Sequence, residues 1–207
     1  MQPIRSRERN AKEGTTTMST EPTFGRYAEI PLTQMTPEQR EGYDALVRVE
    51  AAGSPALPGP LKIWVDNPHL STAVAPLVSY FRPPHNSLSP REREIAVCVI
   101  NSKWRAHYST NAHAQLATGL GLPADTVNAL VCGQPVSLPD KREQLVYEMV
   151  TALAECRWIP RDLYERALEA LGHNGITDVT VLMGLYTAVS LTLNFYDVPA
   201  DAPGINR

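Results

Sequence analysis

The side chains best suited to chemistry lie in the segment from 89 to 122, SPREREIAVCVINSKWRAHYSTNAHAQLATGLGL. Its first half predicts a helix that starts at the capping box Ser89-Pro90-Arg91-Glu92 and carries Ile95, Ala96, Val99 and Ile100 on an apolar side. Its second half predicts a further helix, about 107–118, ended by Gly119. Glu94 lies one turn into the first helix and His113 two turns into the second. A histidine titrates near neutral pH and can give or take a proton; a carboxylate can orient it or relay that proton. Glu94 and His113 are therefore the expected catalytic pair. His107, on another face of the second helix, is either a further acid/base group or a surface histidine. Cys98 shares a face with Glu94 by i,i+4 spacing and reads as core or as pocket lining. Ser109 shares a face with His113. Trp104 and Tyr108 are the other candidates to line a substrate pocket, with Trp64, Tyr186 and Asn194 weaker ones.

Helices must position these residues. Thr36-Pro37-Glu38-Gln39 predicts a helix start, with Tyr43, Leu46 and Val47 following at helical spacing. The preceding residues, 24–35, read as an extended arm. Residues 53–60 (GSPALPGP) read as a loop, and 61–65 as an apolar piece of ambiguous type. Asn67-Pro68 starts another helix, to about Phe81, that Pro76 is expected to kink. Short helices follow at about 124–131, 141–155 and 160–171. Asn174-Gly175 is expected to separate the last of these from a final helix, about 177–195, that is apolar nearly all round. Its length suits a buried central or interface helix better than a membrane span. No segment alternates as a strand, so the class is all-α.

Composition narrows the function. The 207 residues suffice for one domain with a sizeable core. A net charge of −3 offers no basic excess for nucleic acid or an anionic membrane surface. The three cysteines, Cys98, Cys132 and Cys156, show no CxxC spacing, which argues against a disulfide framework or a structural zinc site and for a reducing, cytoplasmic setting. His107 and His113 are six residues apart on different helix faces, which argues against a metal site. His69, His85 and His173 read as structural or solvated. The first residues are polar without the apolar run of a secretory signal. The expected organisation is a disordered leader at 1–22, a helical domain at 23–200 and a flexible tail at 201–207.

The run Leu88-Ser89-Pro90-Arg91-Glu92-Arg93-Glu94, then Trp104, Tyr108 and His113, then Ala117-x-Gly119-Leu120, resembles the carboxymuconolactone decarboxylase and alkylhydroperoxidase D-like family. A weaker match follows at Leu193-Asn194-x-x-Asp197-Val198-Pro199. The resemblance implies an alkylhydroperoxidase D-like helical bundle, a small-molecule substrate, and homo-oligomers, typically trimers or hexamers. Peroxidase members carry C-x-x-C-x-x-x-H with an upstream Glu. Here the histidine and the Glu match His113 and Glu94, but the two cysteine positions hold Ala106 and Ser109. Thiol peroxidase chemistry needs an attacking thiolate and a resolving thiol, and neither residue supplies one.

What remains is proton transfer. The decarboxylase branch implies a lyase that needs no cofactor and acts on a carboxylated lactone or a small acid derived from an aromatic compound. His113 would protonate the carbanion or enol, and Arg105 or Lys103 would hold a substrate carboxylate. Two alternatives stay open: a peroxidase-family protein with weak or lost hydroperoxide-reducing activity, and a catalytically silent oligomeric binding protein.

Overall fold

The computed structural model describes residues 21–49, 57, 59–82, 84–155 and 158–202. Most of the expected leader, the end of the expected tail, most of the 53–60 loop and Cys156 lie outside these residues. Eight α-helices follow one another: α1 (Pro37–Val49), α2 (Gly59–Trp64), α3 (Pro68–Tyr80), α4 (Pro90–Trp104), α5 (His107–Gly119), α6 (Ala124–Val131), α7 (Lys141–Ala154) and α8 (Arg161–Phe195). No strand occurs among the described residues, and the chain is an all-α single domain.

Local chemistry explains where the helices begin. At α4, Ser89 Oγ accepts from the Glu92 backbone N–H at 3.1 Å, and Glu92 Oε2 accepts from the Ser89 N–H at 2.8 Å. Thr36 and Gln39 make the same reciprocal pair at α1, at 3.2 and 3.0 Å. Each box satisfies two of the amide donors that a helix start leaves without partners. Asn67 caps α3 and Asp140 caps α7.

Three expectations about the helices change, and that of a helix running past Pro76 holds. The ambiguous piece at 61–65 lies largely within α2. α3 continues through Pro76. Gly119 is the last residue of α5, and Gly121 takes the left-handed conformation after it, at φ 84°. The break in the last helical stretch falls at Gly172 (φ 62°, ψ 179°), not at Asn174-Gly175. That backbone region is essentially open to glycine alone, so Gly172 is where the chain can turn without strain. Gly175 lies in the helix beyond, where an added Cβ would come within 2.8 Å of Leu171 Cβ. By length and composition α8 is the one described helix apolar enough to cross a bilayer; a third of its most apolar stretch is buried inside the chain.

α4 is the central element. Every residue from Glu94 to Asn101 is buried, so this helix is enclosed on all sides, by α5, α6, α7 and α8. Its first turn is clamped from outside. The Arg91 guanidinium donates to both Glu143 oxygens at 2.6 and 3.0 Å and to the Gly121 carbonyl at 3.1 Å. Arg142 on α7 donates to Glu92 Oε1 at 2.6 Å, to the Ala170 carbonyl at 2.9 Å and to the Ser87 carbonyl at 3.0 Å. These bidentate and branching contacts use the fork geometry of arginine.

Two apolar clusters meet along α8. One joins α4, α6, α7 and α8 through Ile95, Val99, Leu130, Val146 and Leu182. The other holds Phe24, Leu46, Trp64, Tyr108, Val189 and Leu193. The arm before α1 folds back on its own chain: Phe24 is fully buried, its ring edge-on to Tyr108 at 5.0 Å, and the Arg26 N–H donates to the Tyr196 carbonyl at 2.6 Å. The Phe24 ring lies so close over Gly59 that no Cβ could stand there. Asp178 on α8 pins the loop before α4, accepting from Tyr80 Oη at 2.6 Å and from the Ser87 N–H and Oγ at 2.8 and 2.6 Å.

Asp178→Ala removes the acceptor for all three donors. The expected loss is about 1–3 kcal/mol, as for a buried hydrogen-bond partner deleted. Urea denaturation should show a lower midpoint with an unchanged slope.

Candidate active site

The α4–α5 pair is a helical hairpin. Trp104 ends α4, Arg105 takes a left-handed conformation (φ 52°, ψ 40°) with its N–H donating to the Asn101 carbonyl, and α5 starts at His107. The two helices therefore run antiparallel, and residues early in α4 face the middle of α5. This register brings Glu94 against His113.

The Glu94 side chain has no exposure at all, and both its oxygens are engaged. Oε2 accepts from His113 Nδ1 at 2.6 Å. Oε1 accepts from Arg93 Nε at 3.0 Å and lies 2.9 Å from Arg93 Nη2. A third guanidinium nitrogen, Nη1, donates to the Phe81 carbonyl at 3.1 Å. Burial pushes the Glu94 carboxyl up. The charge and hydrogen bond of His113, then those of Arg93, outweigh it and hold the carboxyl below its ordinary value. Glu94 is thus an ionised carboxylate.

An ionised carboxylate only accepts, so the His113 Nδ1 carries a proton. That leaves Nε2 as the working nitrogen: a base when the ring is neutral and an acid when it is charged. Nε2 has no hydrogen bond to any described residue. The ring retains 14% exposure and stands edge-on to Tyr186 of α8, with centroids 4.9 Å apart. The three helices α4, α5 and α8 each contribute one side chain to this group.

The other expected site residues divide. Cys98 is fully buried one turn beyond Glu94, and its thiol is pushed up to about 12, first by burial and then by the Glu94 charge. It offers no thiolate at neutral pH. Ser109 is buried one turn before His113. Tyr108 belongs to the second apolar cluster, against Phe24, and does not meet the Glu94–His113 pair. Trp104 is 40% exposed, its indole donating to Thr187 Oγ1 at 3.3 Å. Asn194 is exposed and donates to the Trp104 carbonyl at 2.6 Å, which ties α8 to the end of α4. His107 and Arg105 are exposed around the hairpin turn, away from His113. Lys103 pairs with Glu155 at 3.2 Å. The cation beside the pair is Arg93, not Arg105 or Lys103. Adjacent residues on a helix do not face each other, so spacing rules pass over an i,i+1 ion pair that a long, curling Arg can still make. Tyr186 also proves central, where the sequence ranks it low. The described residues hold no group of three or more His, Cys, Asp and Glu placed to bind a metal ion. An apolar groove of about 410 Å³ between α3 and α8 is lined by Trp64, Leu70, Val74, Leu77, Leu185 and Ala188, with none of the Glu94–His113 group in its wall.

A carboxyl held below its ordinary value of 4.5 stabilises the fold above that pH, and the contribution is lost as pH falls through the folded value. Glu94→Gln should therefore cost on the order of 1–3 kcal/mol at neutral pH. The gap to the unsubstituted protein should narrow on acidification, as read by urea denaturation across pH. In native protein, peptide-resolved alkylation should label exposed Cys132 and spare Cys98 until the chain unfolds.

At the level of sequence, no known protein family matches this chain, and no curated protein matches it. At the level of fold, it is similar to a solved structure described as an uncharacterized peroxidase-related protein from Silicibacter sp. TM1040. The likeness has a TM-score of 0.68 at 17% identity and covers 91% of this chain and 98% of that one. At that identity the two share an architecture, and the chemistry of this chain rests on its own residues.

Proposed function

We propose that the Glu94–His113 pair transfers a proton to a small carboxylated substrate as carbon dioxide leaves it, a decarboxylase-type lyase reaction. The observation that carries this reading is the 2.6 Å Nδ1 bond from His113 to a fully buried, ionised Glu94. The bond fixes the imidazole orientation and keeps a proton on Nδ1, so Nε2 is the nitrogen that can give or take one. In the step, the bond from carbon to the carboxylate breaks and its electron pair stays on carbon as an enolate. The proton on His113 Nε2 moves to that carbon, and the neutral ring regains a proton from water. Glu94 stays ionised throughout, and Arg93 balances its charge.

A second reading, hydroperoxide reduction, draws on the description of the structural neighbour. It lacks a thiol of the required character here: the Cys98 thiol is buried and pushed up to about 12, and the positions where the resembled peroxidases carry cysteine hold Ala106 and Ser109.

The test is a panel of carboxylated lactones and related small acids in D2O, read by NMR for carbon dioxide release and deuterium in the product. His113→Asn should lower turnover by about 10²–10⁴-fold, the usual contribution of a positioned acid/base group, while folding normally. Undiminished turnover by His113→Asn would refute the assignment. Thiol-dependent peroxide consumption that Cys98→Ser abolishes would establish the second reading instead.

A further inference from the structure

A second polar layer, which the proposed chemistry leaves unused, lies one helical turn from His113 and Tyr186 along α5 and α8 and two turns from Glu94 along α4. Asn101 and Ser190 are fully buried and Ser109 is 3% exposed. Ser190 Oγ donates to Asn101 Oδ1 at 3.3 Å. Asn101 Nδ2 and Ser109 Oγ are buried and have no hydrogen-bond partner among the described residues. Turning the Asn101 amide over changes which of its atoms lacks a partner, not the fact that one does.

The helix registers bring these groups to one level. α4 and α8 run in parallel here, because Asn101 meets Ser190 and the Trp104 carbonyl meets Asn194. α5 runs against both. His113 meets Tyr186, so Ser109, one turn back, is level with Ser190, one turn on. Ser109, Ser190 and Asn101 thus come from three helices at neighbouring levels, next along from the acid/base pair. Leaving two such groups unsatisfied would cost about 1–3 kcal/mol each, which is why buried polar groups nearly always have partners. Its three side chains are neutral, with no cation among them, so the layer suits a neutral oxygen and not an anion.

We propose that Asn101, Ser109 and Ser190 form a seat for a single neutral ligand oxygen that bonds both Asn101 and Ser109. Its source is either a water molecule or the carbonyl or hydroxyl oxygen of a bound molecule. The seat does not depend on the lyase reading; only the second source does, since an enol oxygen would lie there while His113 serves the adjacent carbon.

The decisive experiment is a double-mutant cycle of Ser109→Ala and Asn101→Ala, read by thermal unfolding. Alanine is the better helix former, and removing a truly unpartnered hydroxyl relieves a penalty, so without a seated oxygen Ser109→Ala should raise the melting temperature. With one, the substitution strips a bond from the oxygen, and the melting temperature should fall by about 2–4 °C. The two substitutions should then be non-additive, since they share one partner. A stabilised Ser109→Ala with additive effects overturns the seat. Titration with 4-nitrophenol, an enol mimic, separates the sources. Binding weakened about tenfold by either substitution assigns the oxygen to a bound molecule. Binding that is absent, or unchanged by both, together with a destabilised Ser109→Ala, assigns it to water. Neither readout uses turnover, so a failed lyase assay leaves the seat standing or falling on its own.

Discussion

A carboxylate with no contact with solvent must be neutralised where it stands, and Glu94 is that carboxylate. Taking an ion of this kind out of water costs several kcal/mol, and the protein recovers it only by geometry. One oxygen takes the Arg93 guanidinium and the other takes His113. The first partner comes from the same helix, and the second from the antiparallel neighbour. A 2.6 Å bond between two helices leaves little play in their register. The left-handed turn at Arg105, the capping box at Ser89 and the Arg91 and Arg142 clamps all serve to hold that register.

Two glutamates two residues apart on α4 illustrate how direction decides role. Glu92 points to the outside of the helix start, closes the capping box and receives Arg142 of α7. Glu94 points into the bundle and receives His113. Both are buried and both are paired with an arginine, yet one holds the fold and the other poises an imidazole. Burial of a charge is therefore no sign of chemistry by itself. The distinguishing feature is a titratable partner whose second nitrogen remains open.

The same burial that sharpens the acid/base pair suppresses sulfur chemistry. Cys98 sits one turn from Glu94, and desolvation and the adjacent negative charge both disfavour its thiolate. With alanine and serine at 106 and 109, the interior offers protons and neutral hydrogen bonds but no accessible nucleophilic sulfur. The polar layer of Asn101, Ser109 and Ser190 continues that character inward. A core carrying so many polar groups is less stable than an apolar one, which is tolerable because α4 is enclosed from Glu94 to Asn101 and clamped at its first turn.

The sequence by itself determined the helical class, the start of α4 and the identity of the Glu94–His113 pair. The first two depend on local chemistry, reciprocal caps and apolar periodicity; the pair stands out through the family resemblance of the residues around it. It also determined what the site lacks, because the residues at 106 and 109 carry no sulfur. Tertiary structure alone decided the rest. The break at Gly172 and not at Asn174-Gly175 depends on where backbone near φ 62° and ψ 179° is required, which no local turn signal reveals. Arg93 became the counter-charge because Glu94 is buried beside it, and Tyr186 became a wall of the site because α8 lies along α5. Tyr108 went to the other cluster because the Phe24 arm folds over Gly59 and claims it. Each of these contacts joins residues whose partnership is set by how helices pack, and packing is a property of the whole chain.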